Sequence, residues 1–209
     1  MNDLIKFFEE IGRLKQTSRR GWLLRKVESP ESIADHNFRL ILIGWILPKI
    51  KKYRINFGKL TKMILAHDLY RLYYGDDTPY DFMIKKDDQV DTKIFEKWPP
   101  RERPERIEKA FEEKRRKLKD FLADLPTDVR KEVLNMWEEF EFGGSNEAKF
   151  ARQLDRLETL LQAIQYEREG KEVNSYPFWR EVKETVDHPI LLEFMEEIDK
   201  YYYSPSKKK

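Results

Sequence analysis

Apolar side chains recur at helical spacing along almost the whole chain. Leu4, Phe7, Phe8, Ile11 and Leu14 form one stripe, which predicts a first helix running to about Gln16 with Asn2 or Asp3 as its cap. From Thr17 to Ser29 the period breaks, and Arg19, Arg20, Arg25 and Lys26 surround Gly21-Trp22 in a basic link with one aromatic anchor. Ser29-Pro30-Glu31 combines a capping serine, a first-turn proline and an acid, so it predicts the start of a second helix. That helix passes through His36 towards Leu47, where Pro48 ends or kinks it. Asn56 predicts the next start, and Leu60, Met63 and Ile64 carry this helix to His67 and Asp68 near its end. Gly75 to Lys86 reads as loop.

The second half is also helical. Pro104 to about Leu122 alternates in charge sign and predicts a solvated helix laced with i,i+4 pairs. Pro126-Thr127-Asp128 opens a helix to about Phe140, Gly143-Gly144 breaks it, and Ser145 or Asn146 caps a long helix that ends at Gly170. Shorter helices are expected near Pro177 to Val186 and Pro189 to Tyr202, followed by a basic, disordered tail at 204–209. No stretch alternates as a strand would, and no repeat period is visible. The expected fold is an all-α bundle, one domain over residues 1–203.

Composition narrows the function classes. The chain has 41 basic and 39 acidic residues among its 209, a net charge of only +2, which gives no general attraction to nucleic acid or membrane. It has no cysteine, so disulfides, thiolate metal sites and a cysteine nucleophile are excluded together. Its longest apolar run, Leu40 to Pro48, is far short of the ~20 residues that span a bilayer, and the N-terminus lacks a signal-peptide layout. A cytoplasmic location is the expectation.

Any metal must therefore be held by His, Asp or Glu. His67-Asp68 places two good ligand types side by side at a helix end, but two residues cannot fill a coordination sphere. His36, mid-helix, would alone read as structural; its place on the helix before His67-Asp68 changes that, because consecutive helices normally pack together. Asp155 stands at the edge of the stripe Phe150, Leu154, Leu157 and Leu161, where surface pairing with Arg152 or Arg156 is the ordinary alternative to ligation. His188 reads as a turn residue at a helix start. Phosphate loops, dinucleotide fingerprints, nucleophile elbows and His-Glu-x-x-His are all missing.

Taken in order, the basic link ending Arg-x-Gly-Trp, Pro-Glu-Ser-Ile-Ala-Asp-His, Ala-His-Asp with Gly-Asp following, and Leu-Asp-Arg-Leu-Glu resemble the HD-domain metal-dependent phosphohydrolases. The similarity is greatest to the 5′-deoxynucleotidase branch and covers most of Arg13 to Tyr166. The resemblance implies an HD-type helical bundle in which His36, His67, Asp68 and Asp155 hold one divalent ion, whether Mn, Co, Zn, Fe or Mg. It also implies that Arg19 or Arg20 binds phosphate, that Trp22 walls the sugar or base, and that Asp76 helps hold a nucleoside monophosphate. A homodimer belongs to the same implication.

One position departs from the family pattern. Where the family has a proton-transferring glutamate, three residues after the Asp of the His-Asp pair, this chain has Arg71. Arginine stays protonated at any working pH and cannot replace a carboxylate in acid–base chemistry. Asp76, Asp77 or Glu31 takes over that role, or turnover is crippled; alternatively Arg71 is a second phosphate clamp. The expected activity is thus removal of the 5′-phosphate from (deoxy)nucleoside monophosphates, with a metal- and nucleotide-binding pseudoenzyme as the rival and a helical nucleic-acid-binding protein as a weaker one.

Overall fold

The computed structural model describes residues 2–84, 90, 92–97, 99 and 102–203. The tail expected at 204–209 and parts of the acidic loop, 85–89 and 91, lie outside the described residues. Among the described residues there is no strand. The helices are α1 (Asn2–Gly12), α2 (Arg20–Leu23), α3 (Ile33–Ile50), α4 (Phe57–His67), α5 (Arg71–Tyr74), α6 (Pro104–Phe121), α7 (Thr127–Phe142), α8 (Asn146–Arg168), α9 (Tyr176–Thr185) and α10 (Pro189–Tyr203), with short 3₁₀ turns between some of them.

Local chemistry explains most boundaries. Asn56 caps α4 by accepting from the Lys59 backbone N–H at 3.0 Å, and Ser145 caps α8 by accepting from Ala148 at 3.2 Å. The second long helix, however, starts three residues later than its Ser-Pro-Glu signal suggests. Ser32 is the cap, and it forms a capping box in which Asp35 donates its backbone N–H to Ser32 Oγ and its carboxylate accepts from the Ser32 N–H. Ser29 instead takes a left-handed conformation, φ 48°, while Glu31 accepts from the Arg19 N–H and Ile33 donates to Thr17. These two backbone bonds tie the basic link to the start of α3, and a helix starting at Ser29 would break them. The link itself is not all loop, since Arg20–Leu23 forms the one-turn α2. Pro48 sits in the last turn of α3, two residues before its end.

The main core lies where α3, α4 and α8 meet, with Leu40, Leu60, Ile64, Phe150, Leu154 and Leu157 all buried. A second cluster packs α4 and α5 against α6 and α7 around Trp137, Leu118, Leu122 and Tyr70. Gly44 sets how closely α3 approaches the other two core helices. A Cβ there would lie 3.2 Å from a Leu60 methyl and 3.3 Å from a Leu154 methyl, tighter than ordinary van der Waals contact. Gly44→Val adds branched bulk at this three-helix contact and should destabilise the protein by about 1–3 kcal/mol, read from its urea midpoint; an unchanged midpoint would show that the helices can separate freely there.

Candidate metal centre and its cleft

Each histidine has one nitrogen committed and one left over. His67 Nδ1 lies 2.6 Å from the Ile64 carbonyl oxygen, which can only accept, so Nδ1 carries the proton and Nε2 the lone pair. His36 Nδ1 faces Glu158 Oε2 at 2.5 Å, which likewise leaves its Nε2. Glu158 is fully buried and also accepts from Arg39 Nε at 2.7 Å. Burial opposes a charge on His36, but the Glu158 carboxylate and the neighbouring Asp155 outweigh it, and the imidazole is pushed up to about 9. At His67 burial wins, and the ring is pushed below the ordinary histidine range.

The carboxylates arrive from two other elements. Asp155, on α8, places Oδ1 3.0 Å from His36 Nε2, and its side chain is 29% exposed on the cleft side. Its ordinary partners are occupied elsewhere: Arg152 donates to the Phe140 and Gly143 carbonyls at the end of α7, and Arg156 faces Glu181 at 3.4 Å. His36, His67 and Asp155 each offer one ligand atom, all within 4.8 Å of one another. Asp68, the C-cap residue of α4, stands outside that group; its Oδ1 is 3.4 Å from His67 Nε2 and accepts from Arg71 Nε. Burial opposes ionisation of Asp68, yet Arg71 and the two histidines hold it well below the usual carboxylate range.

Arg71 is the centre of an acidic cluster. Besides Asp68 it donates to Asp76 Oδ1, and its Nη1 lies 3.3 Å from Asp77 Oδ1. Asp77 also accepts from Tyr70 and Lys114, each at 2.6 Å; against its burial, the Arg71 and Lys114 cations hold its carboxyl at about 2. The other oxygen of Asp76 accepts from the Arg20 backbone N–H at 2.5 Å and lies 3.9 Å from Arg19 Nε. Asp76 thus joins two guanidinium groups, and both Arg19 and Arg71 line a cleft of about 330 Å³ that reaches Asp155. The Arg20 side chain turns away to Asp81. Trp22 is 2% exposed and donates its indole N–H to Glu31 at 2.9 Å, yet one side of its ring lines the same cleft.

The residues present fit a divalent ion. Two donors about 2.1 Å from one ion sit roughly 3–3.5 Å apart, which is the spacing of the His36–Asp155 and His67–Asp68 pairs, 3.0 and 3.4 Å. Asp68 Oδ2 is buried without a hydrogen-bond partner among the described residues, a cost that a cation would remove. A second carboxylate–imidazole group, Glu31, His36 and Glu158, is less suited, because Arg39 and the Trp22 indole already donate to its oxygens.

The family model of the HD domain matches residues 11–198. The chain belongs to the HD-domain family. It is 32% identical over 197 residues to the 5′-deoxynucleotidase HDDC2 of Homo sapiens, covering 94% of this chain and 84% of that protein. Its fold is similar to that of a conserved hypothetical protein from Pyrococcus furiosus, with TM-score 0.68, 24% identity and coverage of 94% and 99%. A protein from Magnetospirillum magnetotacticum titled a predicted metal-dependent phosphohydrolase gives TM-score 0.61 at 21% identity, covering 98% and 95%. An HD domain implies a divalent metal, and no helix among the described residues is long and apolar enough to cross a membrane.

Sequence reasoning assigned no role to Glu158 or Arg39 in this HD domain. The signal was present: Glu158 stands three residues after Asp155, hence on the same side of α8, where it orients the imidazole that Asp155 faces. Glu158→Gln should lower divalent-metal affinity about 10–100-fold by calorimetry. It should also change the pH response of metal-free protein. With a folded-state value near 9, above the ordinary 6.5, the stability due to His36 is full below about pH 6.5 and lost as pH rises through 9. The variant should flatten that loss between pH 6 and 9, whereas an equal slope in both proteins would place the effect elsewhere.

Proposed function

We propose that the protein is a metal-dependent phosphomonoester hydrolase that removes the 5′-phosphate from deoxynucleoside monophosphates. One observation carries the reading: the cleft that reaches Asp155 presents two guanidinium groups, Arg19 and Arg71, beside the His36–His67–Asp155 cluster. The 5′-deoxynucleotidase relatives supply the substrate class. His36, His67, Asp155 and, on release from Arg71, Asp68 would hold the ion, whose chemistry when bound is Lewis-acid activation of the phosphoryl group and of the attacking nucleophile.

The chain's own side chains do the rest. Arg19 Nη1 is buried with no hydrogen-bond partner, so it has a donor to give a phosphate oxygen. Arg71 engages acids through Nε and Nη1, and none of its hydrogen bonds uses Nη2. Asp76 lies between the two guanidiniums and accepts from the Arg20 N–H and Arg71 Nη1, a poor arrangement for a base. Asp77, at about 2, is also a weak proton acceptor. Arg71 is therefore read as a second phosphate clamp, with turnover slowed by the missing carboxylate. Because three acids are tied to Arg71, binding without turnover is the second reading.

The protein is further read as a cytoplasmic homodimer. Support comes from an apolar groove between α1, α3, α4 and α7, where Phe38 and Leu65 are 68% and 53% exposed. Phe38→Glu should then give a monomer by light scattering; an unchanged mass would remove this face from the interface.

Phosphate release from deoxynucleoside monophosphates, with each divalent metal added in turn to stripped protein, tests the activity. Nucleotide binding with no release under any metal selects the pseudoenzyme. Arg71→Glu separates the roles of Arg71: the clamp reading expects nucleotide affinity to fall at least about tenfold with no gain in rate. A rate gain of about 10²–10⁴-fold at unchanged affinity would instead show that the family acid is what this protein lacks.

A further inference from the structure

Arg25 shares the cleft with Arg19, Arg71 and Asp155 but is used by none of the steps above. Its residue is only 5% exposed, and it makes no ion pair with a carboxylate among the described residues. Nη1 donates to the Gly21 carbonyl at 2.8 Å, whereas Nη2 is buried with no hydrogen-bond partner among the described residues. A buried guanidinium without an acid is costly, and the protein offsets part of that cost with rings. The Arg25 Cζ lies 4.3 Å from the centroid of Phe95, 5.0 Å from those of Tyr80 and Phe178, and 5.9 Å from that of Trp22. Ring faces and the nearby Tyr80 hydroxyl stabilise the charge, yet Nη2 itself is left without an acceptor among the described residues. The protein therefore keeps one fixed, desolvated donor at an aromatic wall of the cleft, the surroundings in which a nucleobase stacks.

We propose that Arg25 reads the base, its Nη2 donating to the carbonyl oxygen at C6 of a purine or C4 of a pyrimidine. This rests on the reading of the cleft as a nucleoside monophosphate site and adds its base class. Oxo bases, namely guanine, hypoxanthine, thymine and uracil, present an acceptor there. Adenine and cytosine present an amino group, which sets donor against donor and leaves Nη2 unpaired. A second phosphate is disfavoured as the partner, because an anion would be buried among four rings.

Two ligand pairs differ mainly at the group in question, dIMP against dAMP and dUMP against dCMP. Their affinities are to be measured by calorimetry on the full chain with metal chelated, so that nothing is consumed. The oxo member of each pair should bind at least about tenfold more tightly, as expected for a hydrogen bond to a charged donor. Arg25→Met keeps the bulk against the rings and should bring each ratio to within about twofold while leaving affinity for deoxyribose 5-phosphate unchanged. Equal affinities within both pairs on the wild-type protein overturn base reading alone, without recourse to any variant. If neither member of either pair binds, the nucleotide reading and this inference fall together.

Discussion

The buried contact between His36 and Glu158 is the constraint around which this bundle is arranged. Two ionisable groups, both withdrawn from water, are viable there only because each has a partner and Arg39 donates to the same carboxylate. The contact joins α3 to α8 about two turns before Gly44 lets the same helices come close. It also fixes the direction of the imidazole, since a ring whose Nδ1 is held can present only Nε2 to the opposite side. His67 is set in the same way by a backbone carbonyl on its own helix. The candidate metal cluster is thus a product of what lies behind it: two held rings meet one carboxylate from α8, their nearest atoms within 4.8 Å of one another.

Arg71 changes the character of the same site. The chain carries a fixed positive charge here, and the surrounding acids are arranged to neutralise it: Asp68 on one side, Asp76 and Asp77 on the other. Asp68 is shared between this cation and the histidines, which accounts for its position beside the three-residue ligand group. Of the acids that sequence reasoning offered for proton transfer, Asp76 and Asp77 hold Arg71, whereas Glu31 accepts from the Trp22 indole. Arg71 therefore keeps the acids around it ionised.

Much of the helical order was legible because its signals are local. Asn56, Ser145 and Pro104 each mark a start through groups within one turn, and the structure places those helices there. The start of α3 was misplaced because Ser29-Pro30-Glu31 and Ser32-Ile33-Ala34-Asp35 are both plausible caps. What decides between them is non-local, the pairing of Thr17 and Arg19 with Ile33 and Glu31. His36 and His67 could be brought together by the packing of successive helices, whereas Asp155 depended on family resemblance, since nothing local shows that Arg152 and Arg156 are engaged elsewhere. Glu158 closes the Leu-Asp-Arg-Leu-Glu motif but was given no role of its own, although its offset from Asp155 marks a shared helix face. The convergence of Asp68, Asp76 and Asp77 on Arg71 depends on how the loop after Gly75 folds back, which helical periodicity does not encode.

The difference in depth between ion pairs has a consequence for how the protein responds to ionic strength. Lys62–Glu132, between α4 and α7, and Lys51–Glu193, between α3 and α10, lie at the surface with both partners substantially exposed. Mobile ions screen such pairs within a Debye length of about 8–10 Å at ordinary salt, but they do not enter the space around His36 and Glu158. Added salt therefore loosens the outer fastening of these helices while leaving the inner one intact. The geometry of the metal cluster is in this respect insulated from the medium in which the protein works.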